Sequence, residues 1–424
     1  MGSLPEASHA IRVFIAGGSY AGLSSVVNLL DLSEGLQPRG SSSPYTHNKD
    51  LNKVDIEITL ADERDGYYHL IGSPLALADS NWAKKFWVKF SEMPGIDFPN
   101  VKVVQGAISN VDPTAKTATV TDNLTKETTT HKYDYFVAAT GLRRVWPVVP
   151  QSLTRKQYLL EAENQIRTVD TAKHGVVVVG GGAVGIEMAA ELKMVKPHVK
   201  VTLVHSRDKL LSSEGLPDEV KDIALDLLKE SGVEVLMNHR LATTTKVEST
   251  DGAPKYEIEF TNGSKITASE VVMAISRSVP TTSYLPASAV DEEGYVKINS
   301  DLSFVEGTPN RDFHFAAGDL AKWSGIKRAG AAMHQGHHVA MNIHQSIIEH
   351  RTGTPADYQK INQVPAMIGL AVGKKALAYH PDDGAVHGEK TLHDYFRGDL
   401  GWQSMFSCSL SEGKLRQNAN QCCV

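Results

Sequence analysis

Cysteine is scarce in this sequence. The 424 residues include three cysteines, Cys408, Cys422 and Cys423, all near the C-terminus. The first four hundred residues therefore hold neither a disulfide nor a cysteine-ligated metal site. This absence excludes a catalytic pair of cysteines from most of the chain.

Long apolar runs and an excess of positive charge are also missing. Apolar runs such as Val176–Val179 are far shorter than the ~20 residues that span a bilayer. The net charge is −6 and the pI is near 6.3, with no block of basic residues. The sequence thus offers no electrostatic surface for nucleic acid and gives no support for membrane association.

Targeting signals are absent as well. The N-terminus lacks the charged and apolar segments of a secretory signal, and Glu6 stands where a myristoylation motif needs Ser or Thr. We expect a cytoplasmic protein, and a peripheral position at a membrane or lipid droplet stays open.

The length predicts more than one domain. A single hydrophobic core usually stops growing near ~250–300 residues, so 424 residues predict two or three domains. The composition is ordinary for a globular chain, with 34 glycines whose positions carry the information.

A first glycine-rich turn follows the apolar run at residues 11–15. The candidate cofactor-binding residues of this turn are Gly17, Gly18, Ser19, Ala21 and Gly22, and an apolar helical pattern follows them. Strand, tight turn and helix in this order are typical of a dinucleotide-binding unit, in which the helix N-terminus faces a pyrophosphate. One glycine of the usual pattern is replaced by serine at position 19.

An acidic residue completes this first unit. Residues 55–62 alternate like a strand and end on Asp62, where the fold places the carboxylate that binds a ribose. The spacing from Gly22 exceeds the usual ~20 residues, and a loop rich in Ser, Pro, Gly and Asn accounts for the excess.

A second glycine-rich turn follows a run of valines at residues 176–179. Gly180, Gly182 and Gly185 supply all three glycines of the fingerprint, and a buried parallel strand is the setting it requires. The next strand, at residues 201–204, ends near Ser206 and Arg207 rather than at an acid. These two side chains either accept the extra phosphate of NADPH or face solvent, so we expect NADPH to be tolerated beside NADH.

Two further strand ends carry small residues. Residues 133–139 lead to Thr140 and Gly141, and residues 311–317 lead to Gly318 and Asp319. Each one alone is an ordinary strand end.

Together, these four segments resemble the flavoproteins with two dinucleotide-binding domains, over roughly residues 11–345. The resemblance implies that the first fingerprint binds FAD and the second binds NADH or NADPH. It further implies that Thr140-Gly141 lies at the domain crossover and that Asp319 hydrogen-bonds the flavin ribityl chain. The strings 83–86, 177–191 and 201–206 are similar to the apoptosis-inducing-factor-like branch, especially its ferroptosis suppressor group of NAD(P)H:quinone oxidoreductases. Ser19, Ser276 and Glu6 depart from that pattern.

The fold class implied is α/β, with two Rossmann-like domains of the glutathione-reductase type. The NAD(P)H-binding domain (151–265) is inserted between two parts of the FAD-binding domain (1–150 and 266–350), and a small α+β C-terminal domain (351–424) follows. That last domain contains strand-like runs at 366–372, 392–396 and 402–406. Three interpretations of their aromatic and Met residues stay open: an entrance for the acceptor, a dimer contact, or core packing. A homodimer is therefore possible.

The resemblance also suggests residues near the flavin ring. Lys85 or its neighbour Lys84 places positive charge beside the flavin, although a solvated helix face explains both lysines too. Glu187, just after the second fingerprint, is expected at the nicotinamide end and is our second catalytic candidate. Backbone amides near His334 and Gln335 are expected to contact the flavin. We predict no metal site, because the adjacent His337 and His338 point to different helix faces.

The predicted activity is transfer of a hydride from NAD(P)H to FAD and of two electrons from there to a quinone-like acceptor. Many proteins of this architecture reduce a cysteine pair, but residues 63–99 contain no cysteine. Two alternatives stay open. One is a redox-gated interaction protein similar to apoptosis-inducing factor, and the other is a biosynthetic oxidoreductase for one metabolite.

Overall fold

The computed structural model describes residues 9–39, 44–275 and 279–405. Glu6, Ser276 and the three cysteines lie outside these ranges. The strands and helices up to residue 143 are β1 (Ile11–Ala16), α1 (Tyr20–Ser33), β2 (Ile56–Asp62), β3 (Gly66–Tyr68), α2 (Ser73–Ala76), α3 (Ser80–Lys85), β4 (Trp87–Lys89), β5 (Val101–Gln105), β6 (Ala107–Asp112), β7 (Thr117–Thr121), β8 (Thr128–Lys132), β9 (Tyr135–Ala138) and β10 (Leu142–Arg143).

A second group of elements follows, and then the chain returns to the first. The second group is α4 (Arg155–Asp170), β11 (Val176–Val179), α5 (Ala183–Val195), β12 (Val201–Val204), α6 (Asp218–Glu230), β13 (Glu234–Leu236), β14 (Leu241–Val247), β15 (Lys255–Phe260), β16 (Lys265–Ala268) and β17 (Glu270–Met273). The returning elements are β18 (Val279–Pro280), β19 (Val296–Lys297), β20 (His314–Ala316), β21 (Ala321–Lys322) and α7 (Ala329–Thr352). The last elements are β22 (Ile368–Val372), β23 (Lys375–His380), β24 (Gly384–Gly388) and α8 (Glu389–Tyr395).

Two parallel sheets organise the molecule. The first has the strand order β20-β9-β1-β2-β5, and the second has the order β13-β12-β11-β17. The strands of the first sheet come from both sides of the second in sequence, so the second unit is nested within the first. Each unit also has a three-stranded antiparallel sheet, β6-β7-β8 in the first and β14-β15-β16 in the second. The predicted α/β class with two Rossmann-like units is confirmed.

The strand order creates a crevice at the end of β1. The chain passes from β1 to β2 on one side, whereas β9 pairs with β1 on the other side. Ligands of such sheets bind at this switch point, beyond the carboxyl ends of the strands. β11 has the same position between β12 and β17.

Helices α1 and α7 cross closely because small residues face each other. Gly336 of α7 lies against the backbone oxygen of Ala21, where a Cβ would overlap it. The Ser24 hydroxyl donates a hydrogen bond to the carbonyl oxygen of Met333 at 2.8 Å. The close crossing holds the N-terminal turns of both helices beside the end of β1.

The C-terminal sheet β22-β23-β24 is antiparallel and packs against α5 through β22. The predicted strand at 366–372 is confirmed as β22. The strand-like interpretation of 392–396 is wrong, because residues up to Tyr395 belong to α8, where Lys390 and Asp394 pair at helical spacing. Residues 402–405 are also helical, and Phe406 lies outside the described residues. Within the described ranges, no helix is long and apolar enough to cross a bilayer.

Candidate functional site

A cavity of about 570 Å³ lies where the two nested units and the C-terminal segment meet. Its walls come from the end of β1, the first turns of α1, α5 and α7, and residues 395–405, which we call the C-terminal segment. The cavity brings together ten of the residues predicted from the sequence: Gly17, Gly18, Ser19, Ala21, Asp62, Thr140, Gly141, Glu187, Gly318 and Asp319.

The turn after β1 accepts glycine alone at two positions. Gly17 has φ +105°, and a Cβ on it would overlap the carbonyl oxygen of Ala139. A Cβ on Gly22 would overlap the carbonyl oxygen of Gly17, although Gly22 does not line the cavity. The two glycines let α1 start directly behind the turn, so that its N-terminus faces the cavity.

Asp62 lies at the end of β2 and organises the same turn. The N–H of Gly18 donates to Asp62 Oδ2 at 2.7 Å, and the N–H of Arg64 donates to Oδ1 at 2.8 Å. Burial raises the pKa of the Asp62 carboxyl. Each carboxylate oxygen has further acceptor capacity, which suits the hydroxyl groups of a ribose.

The other two strand ends are held by hydrogen bonds. The Thr140 hydroxyl donates to the carbonyl oxygen of Thr281 at 2.6 Å. Gly318 donates its N–H to Gln335 Oε1 at 2.7 Å, and Asp319 Oδ2 lies 3.3 Å from Arg144 Nη2. Gln335 therefore holds Gly318 from behind and does not line the cavity itself.

Positive charge converges on this end of the cavity. Tyr20 and Ala21 of α1 and Ala329 of α7 line the wall, so two helix N-termini, one of them from a 24-residue helix, face the cavity. Each carries a partial positive charge. Lys327 and Arg328 lie beside them, and burial lowers the pKa of both. Together with the glycine turn and Asp62, these groups fit the diphosphate and ribose of FAD.

The second glycine turn repeats the first. Gly180 has φ +132°, and a Cβ on Gly185 would overlap the carbonyl oxygen of Gly180. A Cβ on Gly182 would meet nothing within 4 Å. These three glycines do not line the cavity, but Ala183, at the start of α5, does. The second turn therefore directs the N-terminus of α5 towards the cavity that also contains the first glycine turn.

Ser206 and Arg207 lie at the tip of β12 and are exposed. Arg207 Nη1 donates to the carbonyl oxygen of Ser212 at 3.1 Å, and neither residue lines the cavity. The neighbouring His205 accepts the N–H of Gly181 at Nδ1, at 3.1 Å. This contact ties the tip of β12 to the glycine turn.

Comparison with known proteins agrees with this geometry. Residues 48–336 match the model of the pyridine nucleotide-disulphide oxidoreductases. The chain is also 48% identical over 395 residues to "Oxidoreductase OXR1" of Ajellomyces capsulatus, covering 92% of this chain and 85% of that protein. The chain belongs to the pyridine nucleotide-disulphide oxidoreductase family. The family implies FAD and a pyridine nucleotide as cofactors, and it makes the chain an NAD(P)H-dependent flavin oxidoreductase.

More distant relatives support the same assignment. The chain is 25% identical to human ferroptosis suppressor protein 1 over 317 residues, which cover 74% of this chain and 75% of that protein. It is 24% identical to apoptosis-inducing factor homolog B of Dictyostelium discoideum, covering 78% and 79% of the two chains. An NAD-dependent persulfide reductase from A. fulgidus has the same fold, with a TM-score of 0.63 and 19% identity over 87% of this chain and 63% of that one.

In this member of the pyridine nucleotide-disulphide oxidoreductases, Glu187 lies in the cavity wall on α5. Its Oε1 accepts the N–H of Ala371 in β22 at 3.3 Å. Burial and, to a smaller extent, the nearby Glu191 raise the pKa of Glu187 to about 8. The carboxyl is thus poised to gain or lose a proton near neutral pH, beside the start of α5.

Lys84 and Lys85 were predicted beside the flavin, but neither lines the cavity. Lys84 is exposed. Lys85 Nζ lies 3.7 Å from Asp399 Oδ2 and 4.8 Å from the centre of the Trp82 ring. Lys85 therefore anchors the C-terminal segment, because its charge is attracted to that carboxylate and to the indole face.

His334 also lies away from the cavity, on the second turn of α7. The centre of its ring lies 4.1 Å from that of His338, with the two rings tilted by 51°, and burial lowers the pKa of both histidines. Among the described residues, no group of three or more His, Cys, Asp or Glu side chains is placed to hold a metal ion.

Several wall residues were not predicted from the sequence. They are Tyr20, Arg64, Tyr68, Ile71, Pro74, Arg144, Lys327 and Arg328. Tyr20 lies inside the first fingerprint, at a variable position where its side chain carried no signal. The aromatic and Met residues of the C-terminal domain had three open interpretations, and two of these residues, Phe396 and Met405, lie in the cavity wall.

Replacement of Glu191 by glutamine tests the buried acids of α5. Burial raises the pKa of Glu191 from its ordinary 4.5 to about 8, and its side chain is 1% exposed. The folded state therefore binds more protons than the unfolded state between these values, so the free energy of unfolding falls as pH rises from 4.5 to 8. We expect Glu191→Gln to raise the melting temperature at pH 8.5 by about 3 °C or more and to change it little at pH 5. Thermal unfolding at both pH values measures this.

The control is Glu163→Gln, at an exposed position on α4. It should leave the pH dependence of melting as in the parent protein. An equal shift of the Glu191→Gln variant at both pH values would contradict the assignment of a raised pKa.

Proposed function

We propose that the protein is an NAD(P)H:quinone oxidoreductase with FAD as its electron carrier. The observation that carries the proposal is one continuous cavity that contains the glycine turn of α1, the first turn of α5 and an apolar wall. Flavin, nicotinamide and acceptor need such a common space, because hydride transfer requires atoms about 3–3.5 Å apart.

The residues of the first unit would hold FAD, which supplies reversible two-electron chemistry when bound. Gly17, Gly18, Ser19 and the α1 N-terminus face the diphosphate, Asp62 the ribose and Asp319 the ribityl chain. Ala183, Val184 and Glu187 would meet the nicotinamide end of NAD(P)H. Overall, NAD(P)H, one proton and a quinone give NAD(P)⁺ and the hydroquinone, which balances two electrons and two protons.

An apolar wall favours a planar, uncharged acceptor. Ile71, Pro74, Phe396, Leu400 and Met405 line the side formed by residues 70–74 and the C-terminal segment. A quinone ring would pack against such side chains, whereas reduction of a disulfide through a cysteine pair needs two cysteines beside the flavin. The three cysteines of the sequence begin at position 408, outside the described residues.

Both pyridine nucleotides are proposed as reductants. At the tip of β12, positions 206 and 207 are serine and arginine. Neither is an acid that would repel the 2′-phosphate of NADPH, and Arg207 is exposed. The Arg207 guanidinium would leave the Ser212 carbonyl oxygen and pair with the 2′-phosphate of NADPH.

Anaerobic stopped-flow spectroscopy tests the proposal. The FAD-loaded protein is mixed with NADH or NADPH, and loss of flavin absorbance near ~450 nm reports reduction. A second mix with a soluble benzoquinone should restore the absorbance within the turnover time. Bleaching without reoxidation by any quinone would refute the quinone activity, and a long-lived reduced complex would instead favour a redox-gated interaction protein.

A further inference from the structure

A hydrogen-bonded cluster of Tyr20, Tyr67 and His69 lies behind the apolar wall. The Tyr20 hydroxyl is 3.3 Å from His69 Nδ1, and the Tyr67 hydroxyl is 3.2 Å from the same nitrogen. Tyr20 lines the cavity, whereas Tyr67 and His69 are buried and do not line it. Tyr20 is thus the member of the cluster that belongs to the cavity wall.

The carbonyl oxygen of Leu400 fixes the proton of His69. His69 Nε2 lies 3.0 Å from this oxygen, which can only accept a hydrogen bond. The imidazole must therefore carry its proton on Nε2 and accept at Nδ1. Burial lowers the pKa of His69 to about 4, so the ring is neutral at physiological pH.

One acceptor nitrogen faces two hydroxyl donors. If Tyr20 donates to Nδ1, Tyr67 must turn its proton to the Tyr20 oxygen. If Tyr67 donates to Nδ1 instead, Tyr20 can turn its proton to the Tyr67 oxygen or to the cavity, while its own oxygen still accepts the N–H of Ile71 at 3.3 Å. The same heavy-atom positions thus allow arrangements in which every proton stays within the cluster and one in which Tyr20 presents its proton to the cavity.

The C-terminal segment stabilises this cluster. The Trp402 ring stacks on Tyr67 at 6.1 Å and meets His69 edge-on at 5.3 Å, and Asp399 pairs with Lys85. Leu400 contributes both the carbonyl that orients His69 and a side chain in the cavity wall. These contacts keep water away from the buried side of the Tyr20 hydroxyl. Because the local dielectric is then low, hydrogen bonds of this hydroxyl are stronger than they would be in water.

We propose that Tyr20 donates a hydrogen bond to a carbonyl oxygen of the acceptor, with Tyr67 taking over the His69 nitrogen when the acceptor binds. This inference rests on the proposed function, because it assigns the group that recognises a quinone-type carbonyl. Negative charge develops on that oxygen during reduction, and a donor already in position stabilises it. Burial raises the pKa of Tyr20 to about 12, so the hydroxyl keeps its proton and remains a donor.

The test compares Tyr20→Phe with a matched variant, Tyr133→Phe. Tyr133 is buried and its hydroxyl lies 2.8 Å from His314 Nε2, while His314 Nδ1 bonds the Asn310 carbonyl. Tyr133→Phe therefore also removes a buried tyrosine–histidine hydrogen bond, but at a position away from the cavity. In FAD-loaded protein, we expect Tyr20→Phe to slow reoxidation by benzoquinone roughly ten- to a hundredfold. Flavin reduction by NADPH and reoxidation by ferricyanide, which has no carbonyl, should change less than twofold.

A second readout does not depend on turnover. The carbonyl stretch of ¹³C-labelled benzoquinone, bound to the oxidised FAD-loaded protein, is measured by infrared difference spectroscopy. A hydrogen bond from Tyr20 lowers this frequency in the parent protein and in Tyr133→Phe. In Tyr20→Phe the band should return to the frequency of a carbonyl without a hydrogen bond.

The outcomes separate the two proposals. A parent protein that reduces ferricyanide but no quinone would refute the proposed function, and this inference with it. A parent protein that reduces quinone, with Tyr20→Phe equal to it in rate and carbonyl frequency, would refute this inference alone. Equal slowing of quinone and ferricyanide would also refute it, because a general structural defect would then explain the loss.

Discussion

Replacing Gly185 with alanine should abolish reduction by NAD(P)H while FAD remains bound. A Cβ at position 185 would overlap the carbonyl oxygen of Gly180, which is fixed by its own φ of +132°. Helix α5 must then shift away from β11, and Ala183 and Glu187 move with it. Since a misplacement of about 1 Å between reacting groups costs about a hundredfold in rate, we expect the efficiency of flavin reduction to fall by at least that factor.

Three measurements identify this defect. FAD content and reduction by dithionite should match the parent protein, because the first glycine turn is untouched, whereas bleaching by NADH and NADPH should be lost. The control is Gly215→Ala in the same unit, where the nearest atom, Ala366 Cβ, lies 3.8 Å from the added Cβ. Bleaching of the Gly185→Ala variant at the parent rate would show that the second turn does not position the nucleotide.

The glycine turns could be predicted from the sequence because their cause is local. Gly180 and Gly185 are five residues apart, and the overlap that excludes a side chain at position 185 is with the carbonyl oxygen of Gly180. The preceding valines predict a buried parallel strand for a similar reason, since both faces of the strand are covered. Local steric limits thus fix strand, turn and helix together.

The neighbours of Lys85 could not be predicted in this way. Its partner Asp399 lies more than three hundred residues after it in the sequence. The same holds for Leu400, whose carbonyl oxygen is hydrogen-bonded to His69. Their contacts depend on how the C-terminal segment folds back over the first unit. No periodicity in either segment carries that information, and Lys85, which the resemblance suggested beside the flavin, lies against Asp399 of this segment.

Tyr20 was hidden by the motif that contains it. The fingerprint leaves its position variable, because the backbone of the turn is what approaches the diphosphate. The proposed role of the side chain emerges only from its three partners, which are Tyr67, the N–H of Ile71 and His69. Of these, His69 is oriented by the distant carbonyl of Leu400. In the glycine turns the backbone alone sets the geometry, whereas the proposed acceptor side depends on side chains from separate segments.

Replacing Asp62 with leucine should prevent stable binding of FAD. The substitution removes the acceptor of the Gly18 N–H, at 2.7 Å, and that of the Arg64 N–H, at 2.8 Å. It also removes the proposed partner of the ribose hydroxyls. A charge-assisted hydrogen bond contributes about 1.5–3 kcal/mol, and an unsatisfied buried N–H costs about 1–3 kcal/mol, so FAD binding should weaken by about a hundredfold or more.

The purified Asp62→Leu variant should therefore contain little flavin, and titration of the apoprotein with FAD should give a strongly raised dissociation constant. Asp62→Asn is the matched variant, because its amide oxygen can still accept the Gly18 N–H. Its affinity for FAD should lie between those of the parent protein and Asp62→Leu. The contrast with Gly185→Ala is informative: one substitution removes the flavin, whereas the other leaves a flavin that dithionite reduces and NAD(P)H does not. If Asp62→Leu retained FAD at the parent affinity, the ribose would be bound elsewhere, and the first fingerprint would not be the flavin site.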